Sequence, residues 1–360
     1  MSRTGGHSSG NCPSFAGSTS LPSCAVGVPP MHSESFMQQA IVVAATARRR
    51  TSPNPWVGCV LVAADGRTAE GATEPPGGRH AERVALDVAA AAGIDVAGAT
   101  AYVTLEPCSH HGRTPPCADA LIAAGVARVV VAVTDPDPKV SGQGLDRLRA
   151  AGVDVVTGVL ADEVHDQLAP YLHHRRTGRP FVVLKVATTL DGRIAAADGS
   201  SQWITGTAAR TAAHELRADS DAIVVGAGTV RTDDPSLTTR LVDGPSPRRI
   251  VLGRAPVDAK VHPCTEHSGP LPELLDRLGA EGVLQLMVEG GATVAAAFHS
   301  AGLVDRYVLH MAPAVMGDGA TAWPGVHTPS MHHLWRGRTR AVRQLGDDIE
   351  IVVEPERNPR

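Results

Sequence analysis

The sequence predicts an α/β protein of two domains, and three observations support this. The 360 residues are enough for about two domains, each with its own core. From residue 33 onward, helical patterns alternate with short apolar runs that are typical of buried strands. A basic stretch with Gly and Pro, residues 173–180, then precedes a new β run. We therefore predict a first domain over 33–177 and a second over 178–356.

Residues 1–32 form a separate N-terminal extension. They are rich in Ser, Gly and Pro and show no hydrophobic periodicity, so we expect them to be disordered. They also lack the basic start and apolar run of a signal peptide. Met31 directly precedes the first helical pattern, which makes it an alternative start; finding Met1 on the native protein would reject this hypothesis.

Local patterns predict each element of the first domain. Turn residues at 52–55 separate the first helix from the first strand, Gly93 ends the second helix and Gly125 ends the third. The predicted order is helix 35–47, strand 57–63, helix 80–93, strand 101–105, helix 118–124 and strand 128–133. Consecutive βα units of this kind build a sheet with helices on both faces.

The second domain shows the same alternation. The predicted strands are 181–186, 222–225, 249–252, 283–288 and 307–310, and the predicted helices are 208–217, 271–278 and 293–301. No internal repeat interrupts the pattern.

Composition excludes several classes of protein. A net charge of −4 and only 3% aromatic residues provide neither a basic field nor a stacking surface for nucleic acid. No stretch has the length and apolarity of a membrane span. The local run Arg48-Arg49-Arg50 is interpreted as a solvated helix end. Six cysteines are too sparse for a disulfide scaffold, so we expect a cytoplasmic protein with reduced thiols.

One histidine and two cysteines form the strongest candidate site. His80 begins a helix two residues before Glu82, Cys108 follows a strand, and Cys117 opens a later helix. One imidazole and two thiolates give a catalytic zinc three protein ligands and leave one position for water. Glu82 is then free to carry protons, as the glutamate of zinc deaminases does. The nine-residue step between the cysteines departs from the general P-C-x-x-C pattern of those enzymes.

Other interpretations of these residues remain. Reduced cysteines are often small buried hydrophobes, and a lone histidine is usually surface or core, but the coincidence of His-x-Glu with Pro-Cys favours zinc. A zinc module without catalysis is the non-enzyme alternative. Structural zinc is typically closed by four protein ligands, whereas three converge here.

Longer motifs extend these patterns along the chain. In the first half they are Ser52-Pro53-Asn54-Pro55, Val57-Gly58-Cys59-Val60, His80-Ala81-Glu82 and the run TLEPCSHHGRTPPC from Thr104 to Cys117. In the second they are TTLDGRIA from Thr188, SQWITG from Ser201, Asp233-Asp234-Pro235 and Val288-Glu289-Gly290-Gly291. With these motifs the chain resembles the bifunctional deaminase-reductase family of riboflavin biosynthesis, in which the longer cysteine interval is usual.

The resemblance implies a cytidine-deaminase-like three-layer α/β/α domain followed by a dihydrofolate-reductase-like α/β domain. The first would use Zn²⁺ to deaminate a small molecule, the pyrimidine ribosyl phosphate 2,5-diamino-6-(ribosylamino)-4(3H)-pyrimidinone 5′-phosphate. Zinc would be held by His80, Cys108 and Cys117, with Glu82 as the catalytic residue. By the same resemblance, Asn54, His110 and Arg113 would hold the substrate.

The second domain would reduce the ribosyl group to ribityl with NADPH. The resemblance implies cofactor contacts from Ala187, Trp203, Thr229, Asp233, Gly290 and Gly291. It implies substrate contacts from Ser201, Arg217, Leu237, Arg240 and Glu289, with the arginines as phosphate partners. Glycines after Glu289 would let the backbone approach a phosphate.

Three departures from the family pattern qualify this transfer. Thr73 stands where the family usually has a histidine, which affects one deaminase substrate contact. The stretch between Leu252 and Val283 is short and is expected to lack a strand with its following loop, which weakens the case for tight NADPH binding. Arg48 to Arg50 replaces a glycine-containing turn.

The sequence also has alternatives to this assignment. A deaminase of nucleosides or of tRNA would share the zinc core, although the block ending at Cys117 and the second domain argue against both. A working deaminase joined to a weakened reductase is the main alternative. The oligomeric state, a homo-oligomer included, and the preference for NADPH over NADH are not determined by these patterns.

Overall fold

The fold is described from a computed structural model, which covers residues 30–109, 115–137 and 140–356. The predicted extension lies outside this range except for its last three residues, because the first helix begins at Pro30. No helix in the described part of the chain is both long and apolar enough to cross a membrane.

The first half forms a five-stranded sheet in the order β2-β1-β3-β4-β5. β1 pairs antiparallel with β2 and β3, whereas β3, β4 and β5 are parallel. The strands are β1 (Gly58–Val62), β2 (Thr68–Ala72), β3 (Thr100–Leu105), β4 (Arg128–Val133) and β5 (Asp154–Thr157). The helices are α1 (Pro30–Ala45), α2 (Ala81–Ala91), α3 (Cys117–Ala123), α4 (Gln143–Ala150), α5 (Ala161–Gln167) and α6 (Ala169–Thr177).

Two glycines show that helices cover both faces of this sheet. A Cβ on Gly58 would lie 2.0 Å from the carbonyl oxygen of Ala40 in α1, and one on Gly71 would lie 2.2 Å from that of Ala81 in α2. Gly71 pairs with Cys59, the neighbour of Gly58, and successive residues of a strand point to opposite faces. α1 and α2 therefore pack on opposite faces, which confirms the predicted three-layer arrangement.

The second half forms an eight-stranded sheet in the order β10-β9-β8-β11-β6-β12-β15-β14, in which β15 pairs antiparallel with both β12 and β14 and the other pairs are parallel. A separate two-stranded sheet pairs β13 with β7. The strands are β6 (Phe181–Thr189), β7 (Arg193–Ala196), β8 (Ala222–Gly226), β9 (Arg248–Leu252), β10 (Thr265–His267), β11 (Gln285–Val288), β12 (Arg306–Ala312), β13 (Gly319–Thr321), β14 (Gly337–Leu345) and β15 (Asp348–Pro355). The helices are α7 (Thr207–Ala218), α8 (Ala227–Asp233), α9 (Leu271–Ala280) and α10 (Ala292–Ser300), with a 3₁₀ turn at Met331–His333.

The predicted α/β class is confirmed, but the element pattern was incomplete. The expectation that the chain between Leu252 and Val283 lacks a strand is wrong, because β10 pairs with β9 at the edge of the sheet. Its three residues are too few to show a period. The predictions also omitted the hairpin strand β2, the α4-β5-α5-α6 segment and the β14-β15 hairpin.

The prediction that Arg48 to Arg50 form a solvated helix end is also wrong for the first two. Arg49 Nε donates to Asp219 at 2.7 Å, and Arg48 Nε lies 3.5 Å from the same carboxylate. Arg48 Nη2 further donates to the side chain of Gln285 at 3.2 Å. These arginines therefore join the first half to the second, and we call this group of four residues, Arg48, Arg49, Asp219 and Gln285, the arginine seam.

Candidate active sites

The fold brings the three predicted zinc ligands together at helix starts and a strand end. His80 is the N-cap residue of α2, Cys117 is the first residue of α3, and Cys108 lies three residues beyond the end of β3. Both helix N-termini carry partial positive charge, which favours a thiolate there. The placement agrees with the one predicted from sequence.

The distances within this cluster suit zinc. Nδ1 of His80 lies 3.6 Å from the sulfur of Cys108 and 3.3 Å from that of Cys117, and all three candidate ligand atoms fall within 4.8 Å of one another. Ligands of a tetrahedral zinc, at about 2.3 Å for sulfur and about 2.0 Å for nitrogen, lie roughly 3.6 Å apart. The donor set and its spacing therefore fit one zinc ion with a fourth position left for a non-protein ligand.

Burial gives Glu82 the properties of a proton carrier. Its side chain is 3% exposed, and this desolvation raises the pKa of Glu82 to about 7. A hydrogen bond between the two sulfurs lowers the pKa of Cys108 to about 4 and raises that of Cys117. Glu82 can thus take up and release a proton near neutral pH.

Glu106 fixes the loop that carries Cys108. Its buried carboxylate accepts hydrogen bonds from the backbone N–H groups of Asp135, Gly142 and Gly144, at 3.3, 3.0 and 2.9 Å. A Cβ on Gly144 would lie 2.0 Å from the carbonyl oxygen of Pro107, so α4 packs directly on the loop. These contacts hold the two residues that directly precede Cys108.

The predicted substrate residues of the first half are only partly described. His110 and Arg113 lie outside the described residues. Asn54 is half-buried and closes a turn, its N–H donating to the carbonyl of Thr51 at 2.7 Å. Thr73, at the position where the family pattern has histidine, is buried and accepts a hydrogen bond from the N–H of Val57 at 3.0 Å. Its hydroxyl therefore ties the end of β2 to the segment before β1.

A cavity of about 830 Å³ lies beside the carboxyl ends of β8 and β11 in the second half. This is the position at which open α/β sheets bind their ligands. Every site residue predicted for this half lines the cavity: Ala187, Ser201, Trp203, Arg217, Thr229, Asp233, Leu237, Arg240, Glu289, Gly290 and Gly291. The volume is within the range of ligand pockets.

Several of these residues bind one another. Arg217 and Glu289 form a bidentate ion pair, with N–O distances of 2.8 and 2.7 Å. Burial alone would raise the pKa of Glu289, but Arg217 lowers it below its ordinary value. Ser201 donates to Asp233 at 3.3 Å. Two predicted substrate residues are thus bound to each other, and one predicted substrate residue is bound to a predicted cofactor residue, within the wall of the cavity.

The two glycines after Glu289 also have a packing role. A Cβ on Gly290 would lie 2.6 Å from the Val294 side chain, and one on Gly291 would lie 2.9 Å from the Thr229 hydroxyl. The N–H of Gly291 donates to that hydroxyl at 3.2 Å. Glycine at 291 therefore lets the start of α10 approach α8 closely, and glycine at 290 avoids a clash with Val294 of α10 itself, before any ligand is considered.

Four cationic or imidazole side chains in the cavity were missed by the sequence predictions: Lys185, Arg210, His214 and Lys260. Arg210, His214 and Arg217 recur at helical spacing and so share one face of α7, which is a signal that the sequence did contain. Lys185 lies two residues before Ala187 on β6. Burial lowers the pKa of Lys185. No local pattern marked Lys260, which lies in an irregular loop.

Two family models match the chain. The cytidine and deoxycytidylate deaminase zinc-binding region matches residues 30–133, and the RibD C-terminal domain matches residues 180–351. Fold and site together define a zinc-dependent deaminase joined to an NADPH-dependent reductase.

Relatives of known family cover most of the chain. The riboflavin biosynthesis protein RibD of Mycobacterium tuberculosis is 43% identical over 316 residues, which cover 84% of this chain and 91% of that protein. The Escherichia coli protein of the same name is 39% identical, covering 89% and 98%. This chain belongs to the RibD family.

Solved structures agree with this assignment. Acinetobacter baumannii RibD has a TM-score of 0.82 at 37% identity, covering 90% of this chain and 99% of that one. A Thermotoga maritima protein described as a diaminohydroxyphosphoribosylaminopyrimidine deaminase/5-amino-6-(5-phosphoribosylamino)uracil reductase has a TM-score of 0.83 at 34% identity, with the same coverage. The predicted class of both domains is therefore confirmed.

Proposed function

We propose that this chain catalyses two successive steps of riboflavin biosynthesis. The first half, residues 33–177, removes the 2-amino group of 2,5-diamino-6-(ribosylamino)-4(3H)-pyrimidinone 5′-phosphate and releases ammonia. The second half, residues 178–356, reduces the ribosyl group of the product to ribityl with NADPH. The observation that carries the proposal is the presence, in one chain, of a zinc-type ligand cluster beside a buried glutamate and of a cavity lined by all eleven predicted reductase residues.

In the deaminase half, His80, Cys108 and Cys117 would hold zinc. A bound zinc ion supplies Lewis-acid activation of water. Glu82 accepts a proton from the attacking water and passes it to the ring nitrogen. It then helps to protonate the amino group, which leaves as ammonia when its bond to carbon breaks. Asn54, His110 and Arg113 hold the substrate in this scheme.

In the reductase half, the chain's own residues bind and orient the two reactants. Bound NADPH supplies the hydride. Arg217 and Arg240 bind the substrate phosphate, Glu289 orients Arg217 through the bidentate pair, and Ser201 and Leu237 complete the substrate wall. Ala187, Trp203, Thr229, Asp233, Gly290 and Gly291 face the cofactor in this assignment.

The proposed cellular location and partners follow from the same chemistry. Two thiols that must stay reduced to bind zinc suit the cytoplasm. The substrate is a small molecule, and we propose neither a nucleic-acid nor a membrane partner.

Product identification tests both steps at once. Purified protein incubated with the diaminopyrimidine phosphate alone should release ammonia and form the deaminated ribosyl product. With NADPH added, the mass should then rise by two hydrogens. A product that never gains these hydrogens would leave the chain a deaminase only, which is the main alternative.

We expect weak cofactor binding, with a KM for NADPH towards or above the ~1 mM upper end of the usual range. Of the whole stretch 253–282, Lys260 alone lines the cavity, and it is already paired with Asp234 at 3.0 Å. Few side chains are therefore available for the adenosine end of the cofactor. The KM is measured from the rate of NADPH oxidation at saturating deaminated substrate and increasing NADPH concentration. A KM in the low micromolar range would contradict the prediction.

A further inference from the structure

His214 occupies a central place among the residues proposed to bind the substrate phosphate. It lies on the cavity face of α7, is 5% exposed, and contacts the side chain of Arg217 and the backbone of Arg240. No motif drew attention to it. Its two ring nitrogens make different contacts, and these contacts define its chemical state.

The backbone of Arg240 determines the tautomer of His214. The N–H of Arg240 donates to Nδ1 of His214 at 2.9 Å, so Nδ1 is an acceptor. Burial, and then the charges of Arg217 and Arg240, lower the pKa of His214 to about 4, against a smaller opposing effect of Glu289. The ring is therefore neutral at physiological pH, and its single proton is on Nε2.

That proton points towards another donor. Nε2 of His214 lies 3.5 Å from Nη1 of Arg217, and a guanidinium has no acceptor. Two N–H groups cannot hydrogen bond to each other. The other bonds of Arg217 go to the Glu289 carboxylate and, from Nη1, to the carbonyl of Thr238 at 3.2 Å. Nη1 of Arg217 and Nε2 of His214 thus lie side by side without a shared acceptor, and both residues line the cavity, where a ligand oxygen could accept from the two donors together.

We propose that His214 is a third residue of the substrate phosphate site, in which its Nε2–H and the Nη1–H of Arg217 bind the same phosphate oxygen. The proposal rests on the proposed function, which places the substrate phosphate between Arg217 and Arg240. A neutral imidazole adds a directed donor without adding charge. Its role is to discriminate the phosphorylated substrate from the free nucleoside.

Two amide substitutions separate this role from simple support of the loop. In His214→Asn the side-chain oxygen can replace Nδ1 as acceptor for Arg240, but no donor reaches the Nε2 position. In His214→Gln the amide nitrogen can replace Nε2, but the acceptor for Arg240 is lost. We expect the Asn variant to raise the KM for the phosphorylated ribosylaminouracil about tenfold or more, since a hydrogen bond to a charged group is lost. The Gln variant should stay closer to wild type.

The dephosphorylated substrate provides the decisive control. Wild type and His214→Asn should use it equally well, and the KM for NADPH should not change in either variant. An Asn variant with an unchanged KM, or a Gln variant that is the more impaired, would show that His214 only supports the loop and would overturn the proposal. If wild-type protein oxidised no NADPH with the phosphorylated substrate, the proposed function itself would fail.

A direct measurement keeps the test independent of folding in the variants. In wild-type protein, imidazole nitrogen NMR should show His214 as the neutral Nε2–H tautomer. Inorganic phosphate should shift the Nε2 signal more than the Nδ1 signal. If inorganic phosphate inhibits the reduction competitively but leaves both His214 nitrogen signals unchanged, the proposed contact is refuted.

Discussion

Replacing Cys108 with alanine is expected to remove zinc from the protein and to abolish ammonia release. Two ligands, His80 and Cys117, would remain, and a catalytic zinc site needs three protein ligands. Metal analysis per chain and an ammonia assay on the same preparation measure both effects. Reduction of already deaminated substrate should persist, because the cavity of the second half belongs to a different sheet.

Cys264→Ala is the matched control for this variant. Cys264 is also a free, partly buried cysteine, but it lies outside the cluster of candidate ligands. The Cys264→Ala variant should keep one zinc per chain and deaminate at the normal rate. Full zinc content in Cys108→Ala would exclude Cys108 from the metal site.

Changing Glu82 to glutamine is expected to separate chemistry from metal binding. The amide keeps the shape of the side chain but cannot carry a proton. Deamination should therefore fall by at least the ~100-fold typical of a lost general acid or base. Zinc content should stay at the wild-type value, since Glu82 is not among the clustered ligand atoms.

Reductase activity again serves as the internal control, because it reports correct folding of the same chain. Near-normal deamination by Glu82→Gln would mean that the buried carboxylate is structural and that another group moves the protons. Loss of zinc in this variant would instead mean that Glu82 helps to hold the metal.

The zinc cluster could be predicted because its chemistry is local. His80 and Glu82 are neighbours, and Cys108 and Cys117 belong to one continuous motif, so a short pattern defines ligand types and spacing. The residues that line the cavity of the second half were predicted from the family resemblance, since residues such as Ala187 and Leu237 carry no chemical signal alone. Their convergence on one cavity depends on strand order, which single-sequence patterns do not contain.

The missed features depend on distant partners. Arg49 appeared to be a solvated cation because its partner, Asp219, lies 170 residues further along the chain. The role of Glu106 in fixing the Cys108 loop depends on backbone groups of a later helix. β14 was missed for another reason: seven of its nine residues are exposed, so no alternation of apolar and polar side chains marks it as a strand.

The arginine seam has a consequence for how the molecule is made. Asp219 is the C-cap residue of α7, two positions beyond Arg217. N-terminal domains generally fold first during synthesis. For this chain we therefore expect Arg48 and Arg49 to lie on a folded surface before α7 is synthesised, so that the end of that helix docks on charges already in place. The second half would then dock on the first in the order in which the two are translated.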